Sequence, residues 1–373
     1  MDHKNRRSFL KVLSTGVTGA MLLPSLHGHT ASASKNLKSS QDTGEAFWQE
    51  VKEQFKFAPG LHYFNNASLG PSPIAVQEAT ELYRQTLDGF PSKYMWGGWQ
   101  EEKEAVRDKL ANLFSCSSEE IALIHNTTEG MNLIARSFDL QPGDEVILVD
   151  HEHASGTIPW QYWQEAKGIK LVRPVLPILP DNEEEIVELY RKAITPNTKI
   201  ISMCHIVNTN GMMLPVKKVS EMAHEQGILV AVDGAQSAGM LNINLPDLGC
   251  DFYAASSHKW LFSPKGVGVF YARTNSQKYL KPLIVARGYK DESIRRLETY
   301  NTRNLPEVLG LGAAVDFNQT IGAQKIQDRS YVLKAYFRNK VAENEMLILK
   351  SPAPDELSAA IQDVEIMGKD VRD

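Results

Sequence analysis

Short runs of apolar residues recur along the chain at intervals that leave room for a helix between them. Residues 121–124, 146–149, 171–175, 199–203, 228–232, 252–255 and 267–271 are apolar with few polar interruptions, the pattern of strands buried on both faces. Between them, residues 102–114, 130–138, 183–194 and 216–226 place apolar side chains at helical spacing. Most gaps between strands can hold a crossover helix. The pattern therefore predicts an α/β fold with a mostly parallel central sheet and helices on both faces. Ligands in such sheets bind beyond the carboxyl ends of the strands, so candidate chemistry is sought there.

Composition narrows the picture without changing it. At 373 residues and 42% hydrophobic, the chain can bury a sizeable core, as one large α/β unit or as a large domain with a smaller one. Its 25 glycines and 18 prolines are near ordinary usage, and no fixed period or long low-complexity block suggests a solenoid or a disordered array. The stretch "NRRSFLK", from Asn5 to Lys11, precedes a moderately apolar run and then the small residues Ala31, Ser32 and Ala33. This resembles a twin-arginine export signal, with Asn5 in place of the usual serine or threonine. The apolar run is too short and too broken by glycine to span a bilayer. Residues 1–33 are thus expected to be an export signal that delivers the chain to the periplasm; a basic amphipathic first helix of a cytoplasmic protein is the alternative. The signal carries a net +3, so its removal would take the chain from −5 to −8. That balance argues against nucleic acid or an anionic membrane as partner. Cys116, Cys204 and Cys250 are scattered, a spacing that fits neither a disulfide framework nor a zinc site, and are read as small buried hydrophobes.

Three strand ends carry candidate chemistry. After the first, "HNTTEGMNLIA" leads through Asn126, Thr127 and Thr128 into a helix, whose free N–H groups and hydroxyls would cradle an anion. Alternatively, Thr127 or Thr128 only caps the helix. After the fifth, "VDGAQSAG" puts Asp233 at the strand end and Gln236 three residues on; Asp233 too could be a simple cap. After the sixth, Ser256 and His258 flank Lys259 before a Pro-Lys-Gly turn. An anion cradle, a deep carboxylate, a glutamine and an isolated lysine together match the phosphate, pyridinium nitrogen, ring hydroxyl and aldehyde of pyridoxal 5'-phosphate. A lysine that attacks an aldehyde must be neutral, and burial favours that form. His151 and His153 as metal ligands lack a third partner nearby, so no metal site is expected.

"DGAQSAG" followed by "SSHK" resembles the class V aminotransferase group of fold-type I pyridoxal-phosphate enzymes, which includes cysteine desulfurases, selenocysteine lyases, kynureninases and isopenicillin N epimerase-like proteins. The resemblance covers roughly residues 63–316. It implies that Lys259 attaches the cofactor and shuttles the substrate's α-proton. Asp233 would hold the pyridinium proton, and Gln236 and Asn208 would contact the ring hydroxyl. Thr127, Thr128, Ser256 and His258 would bind phosphate, and His153 would stack on the ring. "LETYNTRN" resembles an epimerase-like motif whose threonine, here Thr302, reaches the neighbouring subunit's phosphate, which implies a homodimer with shared active sites. "YFNNASLG" resembles the family's start, with Asn66 and Ala67 near the substrate.

The resemblance further implies a large cofactor domain over 61–305, preceded by an N-terminal segment at 34–60 and followed by a small C-terminal α/β domain. Helices from Val308 and Arg329, then the domain's first strands within residues 349–373, would begin that domain. Compared with the family, about 60–80 residues of it are expected to be missing. Arg372, Arg287 and Arg303 are weak substitutes for the arginine that grips the substrate carboxylate. No cysteine lies where a desulfurase needs a mobile one. The expected function is accordingly a pyridoxal-phosphate enzyme acting on a small-molecule amino acid or amine, epimerase- or aminotransferase-like. A cysteine desulfurase or selenocysteine lyase, and a cofactor-binding pseudoenzyme, are the alternatives.

Overall fold

Each of the seven apolar runs forms a strand in the structure, a computed structural model that describes residues 44–370. The expected export signal at 1–33, the first part of the 34–60 segment, and Arg372 lie outside the described residues. The strands are β1 (Ile121–Ile124), β2 (Glu145–Ile147), β3 (Lys170–Val172), β4 (Thr198–Cys204), β5 (Leu229–Asp233), β6 (Phe252–Ser256) and β7 (Gly268–Ala272). They form one sheet in the order β1-β7-β6-β5-β4-β2-β3. β3, β2, β4, β5 and β6 are mutually parallel, while β7 runs antiparallel to both β6 and β1. The connection between β6 and β7 holds Lys259 and contains no helix, so it can only return the chain antiparallel. β2 and β3 are shorter than their apolar runs: Leu148 and Val149 stay fully buried after β2 has ended, and Val175 is exposed past β3, an edge strand.

The helices are α1 (Glu45–Lys52), α2 (Ile74–Gly89), α3 (Pro91–Met95), α4 (Gln100–Leu113), α5 (Thr127–Ser137), α6 (Ala154–Lys167), α7 (Glu183–Ala193), α8 (Val216–His224), α9 (Leu245–Leu248), α10 (Leu305–Ile321) and α11 (Ala323–Ala342). They cover both faces of the sheet, as expected. On one face Leu110, Tyr190, Val219 and Leu311 pack with Val230, Val232, Val269 and Tyr271; on the other Met131, Ile134 and Trp160 pack with Ala231 and Phe270. Successive strand residues thus feed opposite cores, which is why the runs read as continuously apolar.

Helix α5 begins three residues before the expected start at Gly130. Asn126 is its cap, its Oδ1 accepting from Glu129 N at 3.0 Å, and Thr127 and Thr128 are thereby released from capping. Gly130 lets α5 lie directly on β6, because a Cβ there would sit 2.5 Å from that of Ala254.

Beyond α10 and α11, β8 (Leu347–Leu349) and β9 (Val364–Ile366) form an antiparallel pair. Buried Lys334 on α11 donates to Asp355 Oδ1 (2.7 Å) and to the Ser358 carbonyl (2.8 Å). It thereby folds the 351–363 segment back. Met213 N donates to Leu357 O at 3.0 Å and Ala359 N to Gly211 O at 2.9 Å, which lays this segment on the loop that carries Asn208.

Candidate active site

Strands β1, β2, β4, β5 and β6 all point their carboxyl ends to one side, and a cavity of ≈ 440 Å³ opens there. Its lining includes Thr127, Thr128, His153, Asn208, Asp233, Gln236, Ser256, His258 and Lys259, residues spread over more than a hundred positions of sequence. Thr302 is exposed and does not line it.

At the cavity floor, Asp233 ends β5 with a carboxyl group almost wholly buried. Oδ1 accepts from Ala235 N at 3.0 Å, and Oδ2 faces Ser155 Oγ at 3.5 Å. Burial pushes its pKa up, opposed by the Ala235 N–H and by the charge on Lys259. Lys259 follows β6 in a turn and is half-buried. Burial lowers its pKa and the Asp233 carboxylate resists that shift. The two groups therefore face each other across the cavity in a balance that brings the amine nearer to neutrality than a surface lysine.

The opposite end is built for an anion. Ser256 Oγ, at the end of β6, lies 2.9 Å from both the N and the Oγ1 of Thr127. With Glu129 N taken by Asn126, the first turn of α5 presents the hydroxyl-bearing Thr128 to the cavity at the positive end of the helix dipole. His258 adds a ring whose buried Nδ1 has no protein partner. Burial, then the nearby Lys259 and Lys265, lower its pKa. An orphaned buried ring nitrogen beside a helix N-terminus is the signature of a site completed by a ligand.

The remaining expected residues are held from the sides. Gln236 Nε2 donates to Ala67 O at 2.9 Å and its Oε1 accepts from Trp260 Nε1 at 2.8 Å, fixing the amide at the wall. His153 caps α6 through Nδ1, which accepts from Ser155 N at 3.2 Å. Asn208 is half-buried.

Sequence reasoning missed Asn65, Ser68, Asn126, Ser155, Cys204 and Ile206, which also line the cavity. Ala67 lies there as expected, whereas Asn65 and not Asn66 contributes the neighbouring wall. The turn from Asn65 to Gly70 sets this register: Ser68 N donates to Asn65 Oδ1 at 3.2 Å and Gly70 N to His258 O at 2.8 Å. Asn65 is spent on turn chemistry, a local signal that the sequence did carry. Gly70 approaches so closely that a Cβ would lie 1.9 Å from the Lys259 carbonyl.

Known proteins resemble this chain in sequence and in fold. The sequence model of the family described as Aminotransferase class-V matches residues 62–373. An isopenicillin N epimerase of Amycolatopsis lactamdurans is 29% identical over 84% of this chain and 83% of its own. A probable cysteine desulfurase of Halalkalibacterium halodurans is 33% identical over 78% of this chain and 75% of its own. Among solved structures, a variant of C-DES with glycine covalently linked to its PLP cofactor superposes with a TM-score of 0.73 at 22% identity, covering 82% of this chain and 84% of that one.

Proposed function

The chain belongs to the class-V aminotransferase family, and from that premise we propose that it is a pyridoxal 5'-phosphate-dependent enzyme whose cavity acts at the α-carbon of an amino acid or amine. The observation that carries the reading is that Lys259, the buried carboxyl group of Asp233 and the Thr127–Ser256 cradle line one cavity. The orphaned Nδ1 of His258 fits a phosphate at the cradle end. When bound, pyridoxal phosphate supplies the electron sink that lets a bond at the α-carbon break.

The chain's own residues do the rest. Thr127, Thr128, Ser256 and His258 hold the phosphate through hydroxyl, backbone N–H and imidazole donors. Asp233, ionised and buried, holds a proton on the ring nitrogen. Asn208 and Gln236 would hold the ring through its hydroxyl, and His153, which also lines the cavity, would stack on it. Lys259 is the covalent attachment point; its burial-lowered basicity lets it take an α-proton and give it back.

This reading favours proton transfer of the epimerase or aminotransferase kind over sulfur extraction. Cys204 lines the cavity, but burial, then the charges of Glu152 and Asp233, raise its pKa well above the ordinary value, so it remains a neutral thiol. The thiols of Cys116 and Cys250 are pushed up to about 12 and lie off the cavity. No arginine is among the described residues that line the cavity, which favours a second reading as a cofactor-binding protein of low turnover. Thr302, exposed and away from its own cavity, and Phe64, exposed by 94% next to the lining residue Asn65, support a homodimer in which each chain completes its neighbour's site. Export to the periplasm by the twin-arginine signal completes the proposal.

The test is to incubate the holoenzyme with a panel of amino acids in heavy water, following deuterium at Cα and sulfide from cysteine. Deuterium incorporation without sulfide supports the proposal. Sulfide release makes the chain a desulfurase, and neither signal with cofactor firmly bound makes it the low-turnover binder.

A further inference from the structure

Beneath the cavity floor lies a second carboxyl group that the proposed chemistry does not use. Glu152 sits in the turn between β2 and α6, and its carboxyl group is turned inward. Oε1 accepts from Cys204 N at 2.8 Å, whereas Oε2 is buried and has no protein partner. Gly156 marks where Oε2 points: a Cβ on that residue would be 3.3 Å from Glu152 Oε2 and 3.9 Å from Asp233 Oδ2. The two oxygens therefore flank the same glycine, no farther apart than those two distances combined.

The surroundings decide which of the two acids keeps its proton. Asp233 has the Ala235 N–H on Oδ1, with Ser155, His153 and Lys259 acting on it. Glu152 has the Cys204 N–H on Oε1 and the weak thiol donor of the same residue. Burial raises it most, the charge of Asp233 raises it further, and its pKa is pushed up to about 8. Facing Glu152 from the packed elements are the neutral thiol of Cys204 on β4 and the buried phenol of Tyr190 on α7, with Asp150 on its own turn occupied by Leu176 N. Arg173, exposed beyond β3, favours the ionised form only from a distance. Since Oε1 receives an N–H, the proton of the neutral acid resides on Oε2, on the side of Asp233.

We propose that Glu152 is a positioning residue for Asp233, its neutral carboxyl group donating a hydrogen bond to Asp233 Oδ2 directly or across one water molecule, so that Asp233 stays ionised and aimed into the cavity. A carboxylate buried in an apolar floor is stabilised by each donor aimed at it, and a protonated acid is the one donor that adds no charge. The proposal rests on the cofactor reading for its use, but not for its existence.

Glu152→Gln keeps a donor of the same reach, and Glu152→Leu removes it. In the cofactor-free chain at pH 7, the infrared band of a protonated carboxyl group should be present and should disappear in Glu152→Gln. The pH at which Asp233 takes up its proton, identified by its loss in Asp233→Asn, should rise by about one unit in Glu152→Leu. Pyridoxal phosphate, titrated by tryptophan fluorescence at pH 6, should bind about tenfold more weakly to Glu152→Leu and unchanged to Glu152→Gln. Absence of the band, its persistence in Glu152→Gln, or equal weakening in both variants overturns the proposal. Should Glu152→Leu fail to fold, the band and its loss in Glu152→Gln still decide. If the unaltered chain binds no pyridoxal phosphate, the cofactor reading fails, while the infrared titration still decides the role of Glu152.

Discussion

At the scale of single residues, the site works by opposing fields. Asp233 is raised by burial, against its donors and the charge of Lys259; Lys259 is lowered by burial and restrained by Asp233. Replacing Asp233 with Ala removes the group that stabilises a proton on the ring nitrogen. It should leave cofactor attachment at Lys259 intact and cut Cα deuterium exchange by about a hundredfold or more, the usual range for a lost electrostatic stabiliser. Undiminished exchange would count against that role. Gly70 offers a purely steric test. Its Cβ position overlaps the Lys259 carbonyl at 1.9 Å, and backbone has no side-chain end to swing away. Gly70→Ala should cost about 1–3 kcal/mol in a denaturant titration, as an overpacked contact does, and should loosen cofactor retention; a variant equal to the parent in both would show that the turn gives way freely.

At the scale of elements, buried polar ties hold the loops that the sheet alone leaves free. Arg107 on α4, fully buried, donates from its Nη2 to Glu298 Oε1 at 2.6 Å, and Nη1 donates to Glu298 Oε2 at 3.0 Å and to Ile121 O at 2.6 Å. Leu123 N closes the group on Glu298 Oε2 at 2.6 Å. This cluster clamps the start of the "LETYNTRN" stretch to β1 and so positions Thr302. Arg107→Met leaves the buried Glu298 carboxylate with Lys103 Nζ at 3.4 Å and the Leu123 N–H alone and should cost about 3 kcal/mol by urea unfolding, with much of it recovered in Arg107→Met/Glu298→Leu; no recovery would mean that packing, not charge, is what the single change disturbs. Asp251 ties α8 to the β5–β6 edge, accepting from His224 Nε2 (2.8 Å), Val230 N (2.8 Å) and Ser276 Oγ (2.6 Å). Burial alone would raise its pKa, but these bonds outweigh it and hold it below the ordinary value. Its stabilisation is therefore complete above the unfolded aspartate pKa of about 4 and is lost as pH falls through the lower folded value. Asp251→Asn should lower the urea midpoint at pH 7 and flatten the acid limb; an unchanged acid limb would contradict this.

The strands, the helices on both faces and ten of the lining residues were legible because burial on two faces writes a continuous apolar run and motifs mark the strand ends. What escaped is tertiary. Cys204 and Ser155 look like ordinary core and cap residues until β4 and α6 bring them to one cavity, and Glu152 reads as a surface turn residue until its carboxyl group is seen to point inward. Helix α6 gave little periodic signal because Gly156 and Pro159 interrupt it.

At the scale of the whole molecule, the proposed homodimer is the first thing to test. Thr302 is exposed and does not line its own cavity; under the proposed homodimer the holoenzyme should sediment as a dimer, and Thr302→Ala should weaken phosphate binding in that dimer without dissociating it, whereas a monomer that binds the cofactor fully would contradict the shared site. The expected signal at 1–33 makes a separate claim: Arg6→Lys with Arg7→Lys should strand the precursor in the cytoplasm, and an unchanged periplasmic yield would refute it. Both claims concern assembly and address, whereas the central one concerns a single bond. It is tested by recording the visible absorption of the purified chain with pyridoxal phosphate before and after borohydride, then mapping the adduct by peptide mass. The account expects a visible band that borohydride removes and a pyridoxyl adduct on the peptide containing Lys259, absent from Lys259→Ala. No band, or an adduct on another lysine, would contradict it.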